Sequence, residues 1–154
     1  MAIDPMISRM EFRPRFYETD MMGIVHHANY LKYMEIGRVE WWRNRGITPE
    51  VWTDVYFPVY EVKIQYKRPS TFDELLVVTT TLVDPKPHSL PFHYVITRGN
   101  DVLCTGETRI ITASREANMR VKRLSPERMA MLTGGELPHM STALNALSAE
   151  QVRA

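Results

Sequence analysis

Residues 17–38, YETDMMGIVHHANYLKYMEIGR, change from a turn-forming segment to a helix-forming segment, and this change decides the fold. The first part has turn chemistry, with Gly23 free to adopt backbone angles that other residues resist. The second part begins a predicted helix, for which Asn29 is the expected N-cap and Gly46 the expected residue after the C-terminus. A helix of about 16 residues is roughly 24 Å long.

This predicted helix carries apolar side chains over much of its surface. Those spaced as a buried side requires are Tyr30, Tyr33, Met34, Gly37, Trp41 and Trp42. A glycine inside a helix costs about 1 kcal/mol relative to alanine. Gly37 therefore indicates that a sheet approaches the helix backbone closely. Such a helix needs cover on several sides, so we expect the rest of the chain to wrap around it.

The remaining segments are predicted to be mostly strand. Alternation over 9–17 predicts a half-buried strand before the helix, where Pro14 indicates a sheet edge or a bulge. Four more strands are predicted at 60–66, 75–83, 92–97 and 102–112, with Gly99-Asn100 as a hairpin turn. The predicted class is α+β, in the order β-α-β-β-β-β, with five antiparallel strands around one long helix. A short helix is predicted at 125–133, after which 134–154 is predicted to be a disordered tail.

Composition limits the class of protein. The 154 residues suit one domain, and a net charge of +1 does not predict the basic surface that nucleic acid requires. The single cysteine, Cys104, excludes an internal disulfide and a cysteine-based zinc site, and we interpret it as a packed thiol. The sequence has neither a run of roughly 20 apolar residues nor the apolar core of a signal peptide. We therefore expect a soluble, cytoplasmic protein without nucleic-acid or membrane partners.

The first half of the segment concentrates groups that could carry chemistry. Asp20 is expected near the start of the buried helix, where backbone N–H groups lack partners and carry a positive partial charge. Such N–H groups can stabilise an oxyanion, and a neighbouring carboxylate can attack a carbonyl or activate water. An acyl-transfer site has these parts, although a carboxylate in a turn is more often a cap or a solvated charge. The adjacent His26 and His27 lack the spacing of metal ligands, so no metal is expected.

The same segment resembles the signature of the 4-hydroxybenzoyl-CoA thioesterase-like branch of hotdog-fold acyl-CoA thioesterases. That signature reads Y-x-D/E-T-D-x-x-G-x-V-x-H/Y-x-x-Y and continues into a helix with Y-x-E-x-x-R. The matching residues are Thr19, Asp20, Gly23, Val25, His27, Tyr30, Glu35 and Arg38. Tyr66, Arg68 and Pro69 match a later Y-x-R-P element. The resemblance covers about residues 8–130, and no G-x-S-x-G nucleophile elbow competes with it.

The resemblance implies a fold, an assembly and an activity. The fold is a hotdog, in which a curved antiparallel sheet wraps a long helix, here as a single domain over 8–133. The family unit is a dimer joined edge to edge, often paired into a tetramer, so a homodimer or homotetramer is expected. The implied activity is hydrolysis of an acyl-CoA thioester to a free acid and coenzyme A. Coenzyme A is then part of the substrate, and no separate cofactor is expected.

The resemblance also implies roles for individual residues. Asp20 aligns with the catalytic carboxylate, acting as nucleophile or as general base, and His27 with the residue whose backbone N–H polarises the thioester carbonyl. The expected substrate-binding residues are Gly23, Val25, His26, Tyr30 and Arg68. Arg68 is expected to hold phosphates of coenzyme A, since basic side chains suit phosphate. Glu35 is a minor rival for the catalytic carboxylate. Trp41, Trp42 and Trp52 are interpreted as core or interface residues.

Two other functions stay open on the same fold. One is hydration or dehydration of an enoyl or hydroxyacyl thioester, for which we find no matching histidine motif. The other is a non-catalytic acyl-CoA-binding module. The acyl group, aromatic or aliphatic, and the choice between coenzyme A and acyl carrier protein as donor are not predicted.

Overall fold

The computed structural model of the protein describes residue 4 and residues 6–134. In chain order its elements are β1 (Ile7–Phe12), a 3-10 turn (Phe16–Glu18), α1 (Ala28–Arg43), β2 (Val55–Tyr56), β3 (Val59–Tyr66), β4 (Leu76–Leu82), β5 (Ser89–Arg98), β6 (Asp101–Ile111), β7 (Ala113–Ser114) and α2 (Pro126–Thr133). The tail predicted to be disordered lies outside the described residues, except for Gly134.

Five strands form one antiparallel sheet in the spatial order β1-β4-β5-β6-β3. The predicted α+β class and five-stranded antiparallel sheet are confirmed. A second, two-stranded sheet of β2 and β7 was not predicted. Each of these strands has only two residues, which is too short to show an alternating pattern in the sequence.

Alternating residues of the central strands form the core face of the sheet. In β5, Leu90, Phe92, Tyr94 and Ile96 are buried, and the residues between them are partly exposed. The helix α1 packs on this face, where the Trp41 and Phe92 ring centroids lie 5.1 Å apart. Arg38 Nη1 also donates a 3.0 Å hydrogen bond to the Tyr94 hydroxyl. The long helix is therefore covered by the sheet on its buried side, as its composition predicts.

Two glycines allow the helix and the sheet to approach each other. A Cβ on Gly37 of α1 would lie 2.6 Å from Thr80 Oγ1, and one on Gly106 of β6 would lie 2.5 Å from Met34 Cε. Real Cβ atoms do not approach other heavy atoms this closely, so a side chain at either position would require its neighbour to move. At Gly106 that neighbour is the flexible end of Met34, whereas at Gly37 it is the short, branched side chains of Thr80 and Val78. The close approach predicted from Gly37 is confirmed.

The ends of two elements differ from the sequence predictions. The helix begins at Ala28 with His27 as its N-cap, so the prediction of Asn29 was wrong. Asn29 is instead buried in the first turn, where its amide binds the preceding chain. The strand predicted at 9–17 is also misplaced, because β1 ends at Phe12, before Pro14. The short helix predicted at 125–133 is present as α2, and its N-cap is Ser125, whose Oγ accepts a 3.2 Å hydrogen bond from the Arg128 N–H.

The strands β1 and β3 are the edges of the main sheet. Several large side chains are exposed on β3: Val59, Tyr60, Val62 and Tyr66. A free edge strand with unpaired backbone groups and apolar side chains is a template for pairing with another chain. Among the residues that the structure describes, no helix is long and apolar enough to cross a membrane.

Candidate active site

A tight loop positions Asp20 just ahead of α1. An isolated antiparallel bridge joins Thr19 to Val25 and closes the loop. Within it, the Asp20 N–H donates to Ile24 O at 2.9 Å, and the Gly23 N–H donates to Asp20 O at 3.0 Å. Gly23 has a φ of +76°, which a residue with a side chain rarely adopts. The glycine predicted to be a turn residue is therefore required by the shape of this loop.

The Asp20 carboxylate is half-buried and uses one oxygen within the loop. Oδ1 accepts a 2.8 Å hydrogen bond from the Met22 N–H, which forms an Asx turn. No donor in residues 6–134 bonds Oδ2. The carboxylate is thus oriented through one oxygen while the other can accept a proton or attack an electrophile.

Backbone and side-chain bonds fasten this loop to its surroundings. Glu18 O accepts from the His26 N–H at 2.9 Å and from Asn29 Nδ2 at 2.8 Å. The Val25 N–H donates to Ser70 O at 2.8 Å. These bonds join the loop to the first turn of α1 on one side and to the segment after β3 on the other.

The Glu18 carboxylate adds a second tie to the helix. Its Oε2 accepts a 2.7 Å hydrogen bond from the Tyr33 hydroxyl and a 2.6 Å hydrogen bond from the Arg15 N–H. Burial, followed by the bond to Glu18, raises the pKa of Tyr33 far above its usual range. The phenol therefore stays protonated and continues to donate at any physiological pH.

The start of α1 leaves one backbone donor without a partner. The Asn29 N–H bonds His26 O at 3.0 Å, and the Ala28 N–H bonds His26 Nδ1 at 3.2 Å. For the His27 N–H, the described part of the chain provides no acceptor. On the other side of the same residue, His27 O accepts a 3.0 Å hydrogen bond from the Tyr66 hydroxyl. A helix N-terminus carries partial positive charge, so this N–H is suited to bind an oxyanion.

A cavity of about 350 Å³ opens beside this helix start. Its walls are formed by Asp20, Met22, Ile24, Val25, His27, Tyr30, Tyr66, Lys67, Arg68 and Pro69. Both expected catalytic residues and three expected substrate-binding residues thus line one space. Of the other two, Gly23 shapes the loop, and His26 directs its imidazole to the Ala28 N–H and stacks on His27 with ring centroids 4.2 Å apart.

Sequence reasoning did not single out several of the lining residues. Tyr66 appeared only as a match to the Y-x-R-P element, and Lys67 was not assigned a role. Tyr66 is the last residue of β3 and Lys67 follows it, and Tyr66 also contacts Tyr30 with ring centroids 5.5 Å apart. Their position next to a matched arginine was the available signal.

The charged and aromatic groups divide the cavity into two kinds of surface. Arg68 Nη1 pairs with Asp101 Oδ1 at 2.9 Å while most of the side chain is exposed, and Lys67 is exposed beside it. Tyr30 is deeply buried, and desolvation raises the pKa of both Tyr30 and Tyr66, so both phenols are neutral. Basic side chains therefore lie at the outer rim, and the tyrosine side of the wall is uncharged.

Two other candidate groups lie away from this chemistry. Cys104 is fully buried in β6, and burial raises the pKa of its thiol to about 11. A thiol of that pKa is protonated near neutral pH and is a poor nucleophile. Glu35, the minor rival carboxylate, is exposed on α1 and does not line the cavity. Among the described residues, no cluster of three or more potential metal ligands is present.

Comparison with known proteins decides the family. The model of the thioesterase superfamily matches residues 22–105, which is more than half of the chain. The chain belongs to the thioesterase superfamily. The predicted relationship and the hotdog fold are thereby confirmed. Asp20 lies two residues before the segment that the superfamily model matches.

Individual relatives agree with the superfamily assignment. A putative acyl-CoA thioesterase, YneP, of Bacillus subtilis is 40% identical over 83 residues, which cover 51% of this chain and 58% of the relative. A hypothetical protein from Thermus thermophilus has a crystal structure similar to this thioesterase-superfamily chain, with a TM-score of 0.76 and 30% identity, over 84% of this chain and 99% of that one. A probable thioesterase from Bartonella henselae has a TM-score of 0.71 and 26% identity, over 77% and 99%.

Proposed function

We propose that this thioesterase-superfamily chain hydrolyses an acyl-CoA thioester to a carboxylic acid and coenzyme A. The observation that carries the proposal is the cavity at the start of α1, which is lined by both the Asp20 carboxylate and His27, whose N–H is unpaired in the described part of the chain. The name of the Bacillus subtilis relative supports acyl-CoA as the substrate class. The segment aligned with it spans less than two thirds of that relative, so the activity of the whole protein is part of this proposal.

In one form of the reaction, Asp20 is a general base. Its carboxylate takes a proton from water while the water oxygen attacks the thioester carbonyl carbon. The carbonyl electron pair moves onto its oxygen, which accepts a hydrogen bond from the His27 N–H. The C–S bond then breaks as the carbonyl re-forms, and the departing thiolate takes the proton from Asp20.

In the other form, Asp20 is the nucleophile. Its free carboxylate oxygen attacks the carbonyl carbon, the thiolate leaves, and a mixed anhydride remains on the side chain. Water then hydrolyses the anhydride and regenerates the carboxylate. Both forms use the same oxyanion donor, and both need the unbonded Oδ2 of Asp20.

The rest of the cavity provides recognition. Val25 and Tyr30 form its buried, uncharged wall and are assigned to the acyl group. Arg68, with Lys67 next to it, is assigned to the phosphates of coenzyme A, because cations at an exposed rim attract phosphate without a large desolvation cost. Gly23 and His26 act through the loop, the first by its left-handed conformation and the second by capping Ala28.

The free edge of β3 supports an oligomeric protein, either a homodimer or a homotetramer. Its exposed apolar side chains and unpaired backbone groups favour pairing with a second copy. Tyr66 lies both on this edge strand and in the wall of the cavity, so a partner at the edge would adjoin the site. Sedimentation equilibrium should give a multiple of the 17.9 kDa chain mass, and a monomer would contradict this assignment.

A panel of acyl-CoA substrates with a thiol-detecting reagent tests the reaction. General acid–base groups typically contribute about 10²–10⁴-fold in rate, so Asp20→Asn should lower kcat/KM by at least about 10²-fold. Asp84→Asn is the matched control, since that carboxylate is exposed, pairs with Lys86 and does not line the cavity. If Asp20→Asn and wild type have equal kcat/KM, Asp20 has no role in the reaction. Hydration of crotonyl-CoA, or binding without turnover, would instead favour one of the two alternative functions.

A further inference from the structure

A second cavity lies at the opposite end of α1 from the proposed active site. It has a volume of about 280 Å³. It is lined by Val39, Trp42, Arg43, Ile47, Thr48, Pro49, Trp52, Val55, Tyr56, Phe57 and Arg115. With a rise of 1.5 Å per residue, the last turns of α1 lie roughly 20 Å from its start. The two cavities share no lining residue.

Three aromatic rings in mutual contact, tilted relative to one another, form one wall of this second cavity. The Trp42 and Phe57 centroids lie 4.8 Å apart at an interplanar angle of 34°, and those of Trp52 and Phe57 lie 5.8 Å apart at 33°. Phe57 thus lies between Trp42 and Trp52, at an interplanar angle of about 33° to each. A flat ligand ring can pack against this aromatic wall in an offset-stacked arrangement, which is a favourable geometry for aromatic pairs.

The charged groups of the cavity are cations. Its lining includes Arg43 and Arg115 but no carboxylate. Arg43 already pairs with Glu40. Arg115 Nε donates a 3.3 Å hydrogen bond to Val55 O, and its guanidinium lies 4.5 Å from the Tyr56 ring centroid. These contacts orient the guanidinium, while its two terminal nitrogens have no acceptor among residues 6–134. A guanidinium held in this way presents the planar fork that binds a carboxylate in bidentate fashion.

We propose that this cavity binds a small aromatic carboxylic acid. The ring lies against Trp42, Phe57 and Trp52, and the carboxylate lies on the terminal nitrogens of Arg115. The volume is at the small end of ligand pockets, which suits an acid of one or two rings. This binding does not depend on the proposed thioesterase activity.

Titration calorimetry with 1-naphthoate, and with 1-naphthamide as its uncharged counterpart, tests the proposal. We expect naphthoate to bind about tenfold or more tightly than the amide. Arg115→Met should remove this difference by weakening naphthoate about tenfold and leaving the amide unchanged. Arg68→Met, the same substitution in the other cavity, is the control and should leave naphthoate binding unchanged. Equal affinities for acid and amide, or an effect of Arg68→Met as large as that of Arg115→Met, would overturn the proposal.

A second variant tests whether the ligand binds inside the cavity, independently of the charge on Arg115. Val39 is 45% exposed and lines the cavity, so Val39→Trp should fill it without disturbing the core. We expect this variant to lose binding of both ligands at an unchanged melting temperature. If it binds naphthoate normally but changes the sedimentation mass, the cavity is a contact between copies of the chain and the proposal is wrong. Because no thioester is used, an inactive protein would still give a clear result.

Discussion

Asn29 Nδ2 donates a 2.8 Å hydrogen bond to the backbone carbonyl oxygen of Glu18. The bond crosses from the first turn of α1 to the chain just before the Asp20 loop. Asn29 is 8% exposed, so this bond is protected from competition with water. It holds the carboxylate loop at a fixed position relative to the helix start, where the proposed oxyanion donor lies.

Asn29→Ala should therefore affect catalysis more than stability. Glu18 O keeps its bond from the His26 N–H, so we expect a loss of about 1 kcal/mol in the free energy of unfolding. Displacement of the loop should lower kcat about 10–100-fold and change KM little, since small misplacements of reacting groups are costly. The control is Asn44→Ala, which removes a 3.2 Å bond from Nδ2 to Ser8 Oγ beyond the other end of α1. If both variants lose the same activity, Asn29 has only a structural role.

Gly37→Ala should destabilise the protein although alanine is the better helix former. The helix gains about 1 kcal/mol in propensity, but a Cβ would lie 2.6 Å from Thr80 Oγ1 and 3.0 Å from both Val78 methyl groups. Overpacking of a core costs typically about 1–3 kcal/mol. Chemical denaturation should show a net loss, and the double variant Gly37→Ala/Thr80→Ala should recover part of it. A Gly37→Ala protein as stable as wild type would refute the close approach.

The stability of the C-terminal region should depend on pH through Asp54. Its carboxylate accepts a 2.6 Å hydrogen bond from Arg128 Nη2 and also binds Lys122 Nζ at 2.6 Å, which together hold the pKa of Asp54 well below its usual range. A group with a lowered folded-state pKa stabilises the fold above its unfolded pKa of about 3.9, and this contribution is lost as the pH falls below that value. Asp54→Asn should therefore lower Tm at pH 7, and the difference from wild type should shrink below about pH 4. A difference that does not vary with pH would show that the ion pairs are not its cause.

Cys104 should be unreactive in the folded protein. With the thiol buried and its pKa raised to about 11, iodoacetamide at pH 8 should alkylate it only after unfolding in denaturant. Mass spectrometry distinguishes the two states. Cys104→Ala should retain wild-type kcat/KM, and a large loss of activity would mean that the thiol contributes to the reaction.

The sequence predicted those parts of the fold that repeat a pattern. The alternation in β5 and the apolar positions of α1 recur over ten or more residues. The close approach of the sheet at Gly37 was predicted because a glycine inside a helix is otherwise unfavourable. The predicted N-cap was wrong because Asn29 lies inside the first turn of α1, where its side-chain amide binds a tertiary acceptor, Glu18 O.

The site was predicted where its residues belong to a sequence motif. Asp20 and His27 belong to one short segment, so their common location followed from a motif. Arg68 was predicted from the Y-x-R-P element, whereas its neighbours Tyr66 and Lys67 were not assigned to the cavity, because which of them face it is a tertiary relationship. The second cavity was not predicted for the same reason, because Arg115 and Trp42 are distant in sequence.

The loop that carries Asp20 is closed and tethered by main-chain atoms: the Asp20 N–H to Ile24 O, the Val25 N–H to Ser70 O and the His26 N–H to Glu18 O. The shape of the loop therefore does not depend on the side chains of Met22 and Ile24, although both line the proposed substrate cavity. Evolution, or a protein engineer, can exchange those two residues to admit a different acyl group while the reacting carboxylate keeps its place.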